Sequence, residues 1–112
     1  MSRLHVQIQP ELNRGAAESE LTEILKIAIE PTQPTSVDVT HGHDAGRYVS
    51  IDVQTPHIRE VWASVRRTMQ DTRVGRVLSK CCIVVCEGEH GWDDYLLLHH
   101  YDASETLDEI GA

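Results

Sequence analysis

With 112 residues, 40% of them hydrophobic and 25% charged, the chain has the size and composition of one globular domain rather than of a disordered segment. Its formal net charge of −8, with ten scattered basic residues against eighteen acidic ones, argues against a nucleic-acid binder, which needs clustered Lys and Arg. No apolar run reaches the roughly 20 residues that cross a bilayer, and the opening "MSRLHVQIQP" has no apolar signal block. The expectation is a single domain over 1–112, cytoplasmic, with neither a membrane nor a nucleic-acid partner.

The first element is "RLHVQIQ". Leu4, Val6 and Ile8 alternate with Arg3, His5, Gln7 and Gln9, the period of two of a half-buried strand that Pro10 ends. In "AAESELTEILKIAIE", Leu21, Ile24, Leu25, Ala28 and Ile29 recur at helical spacing, with acidic residues in the first turns and Pro31 and Pro34 beyond the end. "SVDVTH" and "RYVSIDVQT" then alternate again, Val37 and Val39 in the first and Val49, Ile51 and Val53 in the second. The loop between them holds Gly42 and Gly46, as a hairpin needs. Pairing His41 with Arg47 puts all five apolar residues on one face, and a shift of two residues does so as well.

"TPHIREVWASVRRTMQ" predicts a helix over 56–70, with Thr55 as N-cap and Pro56 at the first helical position. Its apolar side carries Ile58, Val61, Trp62, Val65 and Met69, and Ile58, Val61, Trp62 and Val65 are expected to be buried against Val6, Ile8, Val49 and Ile51. "SKCCIVVCEG" reads as a buried strand with apolar residues on both faces, and "DDYLLLHHY" as one more strand. An acidic tail, 102–112, forms a short helix or frays.

The order strand, helix, strand, strand, helix, strand describes a ferredoxin-like split βαβ sandwich of the α+β class, with both helices on one face of an antiparallel sheet. An additional C-terminal strand forms a hairpin with the fourth. The right-handed crossover rule places the first and third strands in the centre. The resemblance is to an architecture, and this architecture hosts many unrelated functions.

The chemistry-bearing residues are few. Cys81, Cys82 and Cys86 crowd into six positions, which is no disulfide framework, and reduced thiols buried in the core are expected. Cys82 and Cys86 share a strand face but lie roughly 13 Å apart, too far to hold one ion, with Cys81 pointing the other way. "HGHD" offers His41, His43 and Asp44 at a spacing that a metal could use. Asp and Gly are also what a turn needs, so a polar turn without metal is the expectation. His99 and His100, as neighbours on a strand, must face opposite ways. No G-x-S-x-G elbow or phosphate-cradling loop occurs, and no cofactor is expected.

What remains is spatial. The sheet face away from the helices should collect His5, Asp38, Tyr48 and Asp52 among uncharged polar residues, a composition closer to a contact surface than to a purely solvated one. Leu96 and Leu98 in "YLLLHHY" cannot both join Leu97 in one core, which makes that edge strand a second contact candidate. The expected function is a protein-binding module, of the kind that inhibits or gives immunity to a more basic protein, and self-associates as a homodimer through the face or the edge. The alternatives are a cofactor-independent enzyme with an acid and base on the polar face, and a purely structural homo-oligomeric domain. Catalysis ranks below binding because no catalytic motif is present.

Overall fold

The computed structural model describes residues 2–43 and 46–110. In chain order it contains β1 (Ser2–Ile8), α1 (Glu18–Ile29), β2 (Ser36–His43), β3 (Arg47–Thr55), α2 (Ile58–Asp71), α3 (Arg73–Ser79), β4 (Cys82–Gly88) and β5 (Gly91–His100), with single 3₁₀ turns at Pro10–Leu12 and Glu30–Thr32. The strands form one antiparallel sheet in the order β2-β3-β1-β4-β5. The fold is α+β, of the ferredoxin-like kind.

The period-two patterns decide which side of the sheet the helices cover. Leu4, Val6 and Ile8 pair with Val53, Ile51 and Val49 on one side and with Cys86, Val84 and Cys82 on the other. All nine are essentially inaccessible. They meet Leu21, Leu25, Ala28 and Ile29 of α1, Val61, Val65 and Met69 of α2, and Leu78 of α3 in one core. Each fully buried aliphatic side chain contributes about 1.5–3 kcal/mol, so this register is held by many contributions of one sign. Sliding β1 by one residue would put His5 and Gln7 into that core.

Local signals set the helix ends. Glu20 reaches back to accept from the Ala17 N–H at 2.9 Å, which starts α1 without a hydroxyl cap. The second helix begins later than its sequence suggests. Thr55 is the buried last residue of β3 and His57 is the N-cap, while Thr55 Oγ1 accepts from the His57 N–H at 2.9 Å. The apolar side of α2 splits: Val61, Val65 and Met69 are buried, whereas Ile58 and Trp62 are only half-buried at its margin. Trp62 lines a cavity with Leu98 and Ile110 instead of closing under the sheet.

Three features depart from the sequence expectation. The separate helix α3 follows a turn at Thr72, whose Oγ1 accepts from the Gly75 N–H at 2.9 Å. Cys81 sits in the turn before β4, not on its outer face; it is buried, with its Sγ 3.5 Å from the Leu78 carbonyl. The hairpin register is shifted by two from the His41–Arg47 pairing: His43 faces Arg47 and His41 faces Val49, so Val39 meets Ile51 and Val37 meets Val53. The face assignment survives this shift because it moves the strand by an even number of residues.

The last segment is docked rather than frayed. The Asp108 N–H donates to the Leu97 carbonyl at 2.7 Å, and Asp108 Oδ2 accepts from the Leu97 N–H at 2.9 Å. Ile110 packs against the core. The carboxylate takes the place that a neighbouring strand's carbonyl would occupy, so part of the β5 edge is satisfied within the chain.

Candidate functional site: the open face of the sheet

With the helices on one side, every second residue of each central strand is left on the other. Register arranges these residues in rows. One row runs Ser36, Gln54, Arg3; the next runs Asp38, Asp52, His5, Val85, Leu97; a third runs Thr40, Ser50, Gln7, Ile83, His100. The rows change character along their length, polar on β2, β3 and β1 and apolar on β4 and β5.

The polar half holds His5, Asp38, Tyr48 and Asp52, the four residues assigned to this face from the sequence. His5 Nδ1 lies 2.6 Å from Asp52 Oδ1, a hydrogen bond with the ring nitrogen as donor to the carboxylate. Asp52 also stands directly opposite Asp38, a like-charge cross-strand pair that costs stability unless something offsets it. Arg3 lies one row away, with its Nε 3.8 Å from Glu87 Oε1. The Gln54 amide, turned with its oxygen toward Arg3, accepts from Arg3 Nε and Nη2 at 3.3 Å each. Ser50 is buried although it belongs to this face, and Tyr48 lies across Gly42.

The apolar half was not anticipated. Ile83 and Val85 of β4, Leu97 and His100 of β5, and the exposed rings of Trp92 and Tyr95 line a shallow cavity of about 400 Å³ with Glu105. The sequence held a signal for it. Ile83 and Val85 alternate with Cys82, Val84 and Cys86, and helices that cover only one face must leave one of these sets outside. Reading the whole run as buried hid that consequence.

Trp92 joins the halves. From Cys86 to Gly88, two steps along β4 are matched by five along β5, from Leu96 back to Gly91. Such an irregularity coils a strand pair. At its tight point a Cβ on Gly88 would fall 2.1 Å from the Asp94 carbonyl oxygen. The result brings the indole to the polar half, where it lines a second cavity, of about 290 Å³, with Arg3, Ser36, Asp38, Asp52, Val53 and Gln54.

The edge residues assigned from the sequence lie elsewhere. Leu98 is 3% exposed and Leu96 packs on the core, both on the helix side. The alternation gives the open face Leu97 instead, which corrects the expectation of Leu96 and Leu98 as contact residues. His99 and His100 do face opposite ways: His99 Nε2 donates to the Ser79 carbonyl at 2.7 Å, and His100 lines the apolar cavity.

The remaining candidates do not converge. His41 and His43 are exposed near the end of β2 on the side of Val37 and Val39, and Asp44 lies outside the described residues. Among the described residues no group of three His, Cys, Asp or Glu side chains could hold a metal ion. The three thiols are free and buried on the helix side. Burial pushes all three upward in pKa, Cys82 furthest, with Cys81 beside it adding to the effect. A larger cavity, about 730 Å³, lies between α2 and the C-terminal segment and mixes Trp62, Met69, Leu98 and Ile110 with Arg66, Asp108 and Glu109. Among the described residues no helix is long and apolar enough to cross a membrane.

Comparison with known proteins adds little. No protein-family model and no curated protein matches the chain. Among solved structures it is similar to a de novo designed protein, LFR1 1, with a ferredoxin fold and determined by solution NMR. The identity is 15% over 99% of this chain and 96% of that one, at a TM-score of 0.32.

Proposed function

We propose that the protein is a protein-binding module whose contact surface is the open face of a split βαβ sheet extended by β5. The observation that carries this reading is the exposed pair Trp92 and Tyr95, 41% and 56% accessible, beside the half-buried strip of Ile83, Val85 and Leu97. Aromatic residues framed by aliphatic ones and bordered by polar groups are the composition of an interface centre with its rim. The hydrophobic free energy scales with the apolar area removed from water, so a partner that covers this strip gains binding energy that the isolated domain forgoes.

An acidic chain of net charge −8 favours a basic partner, and inhibition of or immunity to such a protein is the role that fits. Catalysis fits less well. The His5–Asp52 pair could move a proton, yet the His5 and Asp52 side chains keep 28% and 48% of their exposure. Among the described residues no hydroxyl or thiol is hydrogen bonded to either. An acid and base gain most where water is excluded.

The test compares affinity capture from the native host on the wild-type chain, on a Trp92→Ala/Leu97→Asp variant and on an Ile27→Asp variant altered in the helix layer. A partner that co-elutes stoichiometrically with wild type and Ile27→Asp, and is lost from Trp92→Ala/Leu97→Asp, supports the reading. Equal recovery on all three contradicts it. Sedimentation of the purified chain distinguishes a second copy as the occupant, the homodimer reading, because its mass would then fall in the open-face variant.

A further inference from the structure

Resting on the contact surface just described, we propose that the cavity between Asp38, Asp52 and Trp92 receives an arginine side chain of the partner, with an aliphatic partner residue seated beside it on Ile83, Val85 and Leu97.

Three observations meet at this cavity. Asp38 and Asp52 are cross-strand neighbours, so two carboxylates sit on one small area of sheet where a single cation can offset both. The indole of Trp92 lines the same cavity, and an indole face is the aromatic surface most attractive to a cation. Among the described residues the one cation that lines the cavity, Arg3, is drawn to Glu87 and, with the amide turned toward it, to Gln54. Its charge is thus matched by Glu87, and among the described residues His5 alone is bonded to one of the carboxylates of Asp38 and Asp52. The balance at the rim is negative.

Arginine is favoured over lysine by shape. A planar guanidinium can stack on the indole while its N–H groups fork to two carboxylates, whereas an ammonium is a strongly hydrated point charge that meets one requirement at a time. The neighbouring cavity shares Trp92, so one ring forms a wall for both partner residues. That fixes their order: the cation lies toward β2 and the apolar residue toward β5. Charge would speed and orient the encounter, and the apolar strip would supply most of the affinity.

The experiment uses the full chain carrying Trp62→Phe, which leaves Trp92 as the only indole of the two in the sequence. Its fold is checked by circular dichroism. The probe is acetyl-leucyl-arginine amide, titrated while Trp92 emission is followed, with the citrulline peptide as its uncharged isostere. The expected result is a saturable change in the millimolar range, as befits a ligand of this size. It should weaken by about tenfold or more for the citrulline peptide and for Asp38→Asn, which loses one charge-assisted contact. Equal titration by both peptides, indifference to Asp38→Asn, or no saturable change at all overturns the socket. Those results leave the contact surface standing if capture of the partner still depends on Trp92 and Leu97. A change in emission with protein concentration alone, without peptide, assigns the cavity to a second copy and also overturns the proposal.

Discussion

Tyr48 occupies the space that a side chain on Gly42 would need: a Cβ there would fall 2.2 Å from the Tyr48 ring. The two residues face each other across β2 and β3, so the ring packs over the bare backbone of its partner. Gly42 is therefore required for room and not for an unusual backbone angle, whereas Gly46, with φ of +136°, does need its freedom. Gly42→Ala should displace the ring and cost about 1 kcal/mol, the low end for overpacking, because the obstacle is the far end of a side chain that can swing. In a Tyr48→Ala background the same change should be neutral or stabilising, since alanine loses less backbone entropy than glycine in a strand. Urea denaturation of the four proteins in this cycle checks both signs.

Gly75 presents the harder version of this constraint. A Cβ there would lie 1.9 Å from the Thr68 carbonyl oxygen, which belongs to α2. Backbone cannot swing aside, so Gly75→Ala must separate α3 from α2. Its cost should exceed that of Gly42→Ala and reach about 2–3 kcal/mol. A smaller loss than for Gly42→Ala in the same denaturation series would contradict the tight α2–α3 turn.

The elements visible in the sequence are those whose period is strict. Leu4, Val6 and Ile8, or Val49, Ile51 and Val53, can sit in only one way on a half-covered sheet, and α1 announces itself by Leu21, Leu25 and Ala28. The short helix α3 was hidden because "RVGRV" offers one turn of pattern around a glycine, and its cap, Thr72, is shared with the end of α2. The open face was legible by half. His5, Asp38, Tyr48 and Asp52 follow from alternation on known strands. Trp92 does not, because its place depends on the irregular β4–β5 pairing, where period two fails. The pairing of Asp108 with Leu97 likewise joins residues that no local pattern connects.

Burial of the thiols predicts how stability responds to alkali. Each of Cys81, Cys82 and Cys86 has its pKa raised above the ordinary 9.0 in the folded chain by desolvation. Below that value the thiols are protonated in both states and contribute no pH dependence. Above it the unfolded chain releases protons that the folded chain retains, so stability falls as pH rises toward the folded values. Urea midpoints should be flat in this respect through neutral pH and decline above it, with the decline reduced in Cys82→Ala after correction for the cavity it leaves. At neutral pH a thiol reagent should modify the native protein only as fast as it opens. Rapid labelling of three thiols without unfolding would contradict the buried placement.

The Asp108–Leu97 pair predicts a local rather than a global effect. Asp108→Ala removes the acceptor of the Leu97 N–H and should cost about 1 kcal/mol, with faster amide exchange confined to Leu97 and the segment after Tyr101. Exchange at Leu4 or Ile51 should be unaffected. Unchanged protection at Leu97 would show that the segment does not cap the β5 edge.

The proposed covering of the open face by a partner is read most directly by side-chain footprinting. The chain is labelled by hydroxyl radicals alone and in complex with the partner captured by the wild-type protein. Trp92, Tyr95 and Leu97 should be oxidised in the free chain and protected in the complex, while Ile27, 57% exposed on α1, should be labelled equally in both. Protection of Ile27 with Trp92 and Tyr95 still open would place the contact on the helix layer and contradict the central claim.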